Sequence, residues 1–406
     1  MHGATRFLTL FAAEEIPAAM VTYVALLMLL QLGLAPAEAT FCSALLFLPW
    51  ALKSFMRPWV ARVGNLRLLL HIIEALLFVS LFLLAISLNT SFPHFFIFSF
   101  PVLFVISLLS ALHELTARIY YERAVSPASR LLLTFPRHVF SQATVVVTYG
   151  ALIFLVGMLQ VYFRQIRYSW AVGCMVAAGL FLLFALLHFQ TLPKSNGQQT
   201  SASPSTKEKT FHFSLFTFHW IILFLLLLPQ SLMFFARVLY LYGSHEEGGL
   251  QCTMQEIGFA QGTVGVISFS IGIALCRRLI RRYTLRRLFW PMALCIVLSP
   301  VVYFCMTVWP PQTLMTLCLC TLTAQLLFGL GLGACRLPLY VISGTRYRDT
   351  INMLQIPLVS AAMILPMALS GSLVELWGYD VFFLVNALTA PVCLLGICLL
   401  RRKAAL

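Results

Sequence analysis

Ionisable side chains stand where hydrocarbon should exclude them: Glu14 and Glu15, Lys53, His71 and Glu74, His113, Glu114 and Arg118, Arg237 and Arg336 all fall inside long apolar runs. A charge held in hydrocarbon costs about 2.5–3.5 kcal/mol on insertion scales, so those that remain face a cavity or one another. A buried carboxylate beside a basic group can exchange an ion-paired form for a protonated one. Glu114 with His113 is a candidate for that proton chemistry; Glu114 and Arg118, four apart on one helix face, could equally form a structural ion pair. His71 and Glu74, three apart, can also pair. Glu14 stands eight residues into the first helix, ahead of the helix-bending Pro17, and is a further proton-coupling candidate; Glu15 lies about 100° further round and should serve a different site. Lys53 and Arg336 are single cations suited to a carboxylate or phosphate, although either could snorkel to an interface. Arg237, near one end of its helix, reads as a headgroup or loop partner.

These residues need membrane-spanning elements to position them. Of the 406 residues 61% are hydrophobic and only 10% charged, against about 25% charged in an average soluble domain. That balance excludes a soluble enzyme, a disulfide scaffold and a disordered chain. A span needs about 20 apolar residues, and runs bounded by charge or turn residues predict twelve helices near 7–31, 39–58, 68–88, 94–122, 132–160, 168–192, 214–242, 253–276, 286–308, 313–342, 351–377 and 380–400. The fold class expected is all-α, with twelve transmembrane helices in two six-helix bundles, 1–192 and 214–406. The polar stretch PKSNGQQTSASPSTKEKTFHF, residues 193–213, joins them as a flexible cytoplasmic linker.

The net charge of +14 follows from 27 Lys and Arg against 13 Asp and Glu. Placed on the twelve-helix plan, 21 of the 27 cations fall on one side and only Arg164 and Arg167 on the other, while Lys53, Arg118, Arg237 and Arg336 lie within spans. By the positive-inside rule both termini are cytoplasmic, and the charge marks membrane orientation rather than nucleic-acid binding. The first run carries Glu14 and Glu15 without a small-residue cleavage site, so it reads as a span, not a removable signal. The basic turns Arg57–Arg67 and Arg277–Arg287 occupy matching places in the two halves, as in a duplicated six-helix unit with a site at the repeat interface.

Gly258, Gly262 and Gly265, and Gly329, Gly331 and Gly333, have spacings suited to close helix packing; no strand precedes them as a nucleotide site would require. No GxxxxGK[ST], HExxH or GxSxG motif occurs. Ten of eleven cysteines lie in apolar segments, with Cys252 in a loop, so no disulfide framework or metal site follows.

The segment FAAEEIPAAMVTYVALLMLLQLGLAPAEATFCSALLFLPWALKSFMRPWV resembles the opening of the AmpG-like muropeptide permeases, in the peptide, acetyl-CoA and drug transporter branch of the major facilitator superfamily. SALHELTARIYYERAVSPASR resembles that family's fourth helix, EIGFAQGTVGVISFSIGIALCRRLIRRYTLRRLFWPMAL its helices 8 and 9, and MLQIPLVSAAMILPMALSGSLVELWGYDVFFLVNAL its helices 11 and 12. The resemblance carries Glu14 with Ile16 and Pro17, then Pro49, Trp50, Lys53 and Pro58, and Glu114, onto family positions. It departs at Ala61, where the superfamily usually has an acidic residue, and in LLLLPQSLMF, which lacks the charges relatives often carry.

The resemblance implies a secondary transporter in the inner membrane of a Gram-negative bacterium, a proton symporter taking up an anionic solute such as an anhydro-muropeptide. Its partners would be protons, the small anion and the bilayer, with no nucleic acid and no cofactor, and the chain would act as a monomer. The proton-coupling candidates are Glu114, His113 and Glu14; the substrate-binding candidates are Arg336 and Lys53. An efflux carrier for amphipathic drugs, and a non-transporting sensor or accessory protein of the same fold, remain alternatives.

Overall fold

The computed structural model describes residues 7–89, 95–193, 213–283, 285–342 and 344–404. Most of the expected 193–213 linker therefore lies outside the described residues, as do the side chains of 336–355.

Among the described residues, eleven helices are long and apolar enough to span a bilayer. The last of these runs 47 residues, Ile356–Arg402, about 70 Å at 1.5 Å per residue and so twice a hydrocarbon core of about 30 Å. Gly378 divides it, with φ at 72° and ψ at 168°, a left-handed turn that only glycine adopts without a Cβ clash. Twelve spans result: α1 Leu8–Gln31, α2 Pro36–Ala61, α3 Leu66–Asn89, α4 Phe95–Ala124, α5 residues 127–163, α6 Ile166–Thr191, α7 Phe213–Tyr242, α8 Met254–Arg282, α9 Leu285–Val308, α10 Leu314–Ile342, α11 residues 344–377 and α12 residues 379–404. The expected helices are all present. α5 begins five residues before its expected start and α8 runs six past its expected end, because basic amphipathic turns continue the helix beyond the hydrocarbon.

Local chemistry fixes several ends. Pro36 starts α2 at a position where a missing N–H costs nothing. Thr253 and Glu256 form a reciprocal capping box at the start of α8. α2 is broken around Pro49 into three short pieces, and Ser107 of α4 donates to the Leu46 carbonyl at 2.5 Å beside the break. Among the described residues, three other helices widen for a turn into π-helix: α1 at Met20–Val24, α5 at Val146–Ala151 and α8 at Gly258–Gly265.

The two bundles meet closely from mid-depth to the face bearing the turns at 32–35, 164–165 and 243–253, the arginine-poor face. Gly262 of α8 packs on Gly150 of α5 so tightly that a Cβ on Gly262 would stand 2.4 Å from Gly150 Cα. A Cβ on Gly371 of α11 would stand 2.3 Å from the Pro36 carbonyl oxygen of α2. Glu375 of α11 accepts the Ala37 N–H at 2.9 Å, closing the start of α2. Ser270 of α8 donates to Gln142 of α5 at 3.1 Å, near mid-depth. The glycine rows do pack helices: Gly258 and Gly262 on α5, Gly329 and Gly333 on α8, Gly331 on α9.

The Gly150–Gly262 contact is backbone on backbone and cannot yield to a side chain. Gly262→Val should therefore push α5 and α8 apart and unseal the arginine-poor face. A Thr148→Cys reporter beside Gly150 should then react faster with an impermeant maleimide from that side; unchanged labelling would show that the seal does not rest on this contact.

Candidate functional site

Pro49 interrupts α2, and the next turn places Trp50 and Lys53, three apart, on the face toward α4. Both are buried. The Lys53 ammonium pairs with Glu114 Oε2, and the Trp50 indole N–H donates to the same oxygen at 3.0 Å. The Glu114 side chain keeps 24% of its surface accessible, against 7% for Lys53, so the carboxylate is the less enclosed partner of the pair.

α1 and α5 complete the cluster. Glu14 is buried and faces Arg137 Nη2 at 3.9 Å, while the Arg137 guanidinium lies 3.7 Å over the Phe11 ring. Ser141, one turn beyond Arg137, donates to Glu15. The charges of Glu14 and Glu15 both act on those of Glu114, Arg137 and Lys53. Three carboxylates and two cations from α1, α2, α4 and α5 thus share one polar cluster, towards the arginine-rich end of the first bundle. It carries one more acid than base and can be neutralised by a single proton.

The expected pairings change here. Glu114 does not pair with Arg118, which turns to Glu122 at 3.2 Å; Lys53 reaches Glu114 first because α2 packs across that face. Lys53 is accordingly an ion-paired residue rather than a free cation. Glu15 belongs with Glu14 after all, because the cluster is wide enough to meet two neighbouring faces of α1. Arg137, one of the 21 cations of the arginine-rich side, stands on α5 with 36% of its side chain exposed and its guanidinium towards Glu14. His113 is separated from Glu114 by the 100° between adjacent helical residues and faces Glu74 at 3.4 Å.

Around Glu74 lies a second cluster. Glu74 is 2% exposed, and three imidazoles converge on it: His71 Nδ1 at 3.0 Å on one oxygen, His188 Nδ1 at 2.5 Å and His113 Nε2 at 3.4 Å on the other. Spacing foretold the His71 pairing. His113 on α4 and His188 on α6 come from other helices, and their only signal in the sequence is a histidine inside an apolar run.

Arg237 does not reach the headgroups. It is buried, 5.1 Å from the centre of the Phe234 ring. Arg336 falls on α10, with its side chain outside the described residues.

No protein-family model matches the sequence, and no curated protein is significantly similar to it. Solved structures are similar in fold. The nucleoside transporter NupG aligns with 13% identity over 98% of this chain and 99% of its own, at a TM-score of 0.74. A POT family transporter in complex with 5-aminolevulinic acid aligns with 11% identity over 99% and 96%, also at 0.74. A bacterial homolog of the human lysosomal transporter Spinster, inward-facing and unoccupied, aligns with 15% identity over 100% and 96%, at 0.71. The fold is that of the major facilitator superfamily. In this major facilitator fold the Lys53–Glu114 cluster belongs to the first bundle, and Arg237 lies where the second bundle meets it.

Proposed function

We propose that the chain is a proton-coupled secondary transporter, taking up an anionic solute of the anhydro-muropeptide type across the inner membrane of a Gram-negative bacterium. The observation that carries this reading is the Lys53–Glu114 pair: a partly accessible carboxylate, its cation and the nearby Glu14, all inside a bundle that has no need of charge for stability. Protonation of Glu114 would release Lys53 to the solute's carboxylate; departure of the proton would restore the pair and expel the solute. The bundles 1–192 and 214–406, joined by a cytoplasmic 193–213 linker with both termini inside, would rock about the site. The arginine bias supports that orientation. In the AmpG-like reading, deleting the gene should leave cell-wall fragments in the culture medium, read by mass spectrometry; unchanged fragments with a different accumulating anion would discard the muropeptide and keep the transporter.

A second reading, efflux of amphipathic molecules, is favoured by one observation. Phe47, Phe234 and Phe235 form an edge-to-face aromatic group where α2 meets α7. Altered drug sensitivity on deletion, with no fragment in the medium, would support it instead.

A further inference from the structure

Arg237 is the buried charge the transport cluster leaves unexplained. The side chain is 8% exposed. Its Nε is buried without a hydrogen-bond partner, and among the described residues no carboxylate pairs with the guanidinium. Phe234, one turn earlier on α7, offers only its ring. A buried cation without a counter-ion is among the least favourable groups a fold can hold.

Its surroundings are hydrogen-bond donors drawn from both bundles. Tyr23 of α1 and Tyr149 of α5 stack with ring centroids 4.8 Å apart and planes 19° from parallel, and Tyr23 also lies 5.7 Å from Phe234. The Phe234 ring, 5.1 Å from the guanidinium, joins Arg237 to this stack. Beyond them Gln261 of α8 donates to the Tyr303 hydroxyl of α9 at 3.1 Å. Glu15, two turns before Tyr23 on α1, is already engaged by Ser141.

The backbone marks the same place. The wide turns of α1, α5 and α8 carry Tyr23, Tyr149 and Gln261 respectively. A π-helical turn is rare, less favourable than α-helix and frequent at functional sites. Here three of them deliver one polar side chain each towards one region, beside the Gly150–Gly262 seal.

We infer that Arg237 anchors an anionic group of the solute separate from the one offered to Lys53, with the Tyr23 and Tyr149 hydroxyls as further donors, and that this group is a carboxylate whose apolar neighbour rests on the half-buried rings of Phe47 and Phe234. The missing counter-ion arrives with the ligand. This inference rests on the transporter reading for its physiological meaning, but its binding chemistry does not. Because the anion would touch α1 and α5 of one bundle and α7 of the other, it would tie the bundles together where they already meet.

The test uses the full chain in detergent, with thermal unfolding followed at constant ionic strength. Sodium benzoate is titrated against chloride, with sodium phosphate and neutral benzamide alongside. Benzoate should raise the unfolding midpoint saturably by several degrees, and benzamide should not. Arg237→Met should unfold at a higher temperature than the wild type without ligand, having lost an unpaired charge, and should show no benzoate shift. Tyr149→Phe should fold normally and keep a reduced shift, which preserves the test if Arg237→Met is poorly folded. A benzoate shift that survives in Arg237→Met, or no saturable anion shift in the wild type, overturns the inference; a shift with phosphate but not benzoate overturns the carboxylate class. Absence of proton-driven uptake alongside a normal benzoate response would sink the transporter reading alone.

Discussion

Glu114→Gln is expected to abolish accumulation of solute against a gradient in proteoliposomes while leaving exchange partly intact, since exchange need not pass through the empty, reprotonating carrier. The stability of the same variants separates the ion pair from the coupling. Lys53→Met or Glu114→Gln alone strands one buried charge and should cost about 3–5 kcal/mol, whereas replacing both residues of a buried pair is often neutral. The double variant should therefore fold almost as well as the wild type and still not accumulate solute. If accumulation survives Glu114→Gln and ignores an uncoupler, proton coupling through this site is wrong, and facilitated diffusion takes its place.

Glu74→Ala should be the most destabilising single change in the first bundle. It removes the acceptor shared by His71, His113 and His188, leaves two buried imidazoles and a partly buried third unsatisfied, and should cost about 3–5 kcal/mol, as for other broken buried ionic clusters. Low yield and a depressed unfolding midpoint are the expected readouts, with transport per folded molecule retained. Normal stability with lost transport would move this cluster from scaffold to coupling machinery.

The helix count was legible because a run of about 20 apolar residues in lipid can only become a helix. The pairing of charges was not. Arg118 has an acid four residues away on either side, Glu114 and Glu122, and helical spacing ranks the two equally; α2 decides by bringing Lys53 to Glu114. Arg237 shows the same limit in another form. Its distance from the end of α7 gave its depth, but a residue near a helix end can face headgroups or the facing bundle, and only the stacked Tyr23 and Tyr149 reveal which. The wide turns left no trace in periodicity either, because the residues around them are mostly apolar or small and the hydrophobic pattern there has little phase to break.

The wide turns also bear on how the chain tolerates changes in length. A bond closed over five residues encloses one more than the α-helical bond, so each such turn amounts to a helix with a single residue inserted and its flanking faces still in register. Removing one residue from 20–24, 146–151 or 258–265 should relax that turn to α-helix and leave the packed surfaces on either side seated. The same deletion midway along α7, which has no such turn, would rotate everything beyond it by about 100° and swing Arg237 away from Tyr23 and Tyr149. Single-residue deletion scanning should therefore find tolerance at three isolated points in the membrane, each at the level where the bundles meet.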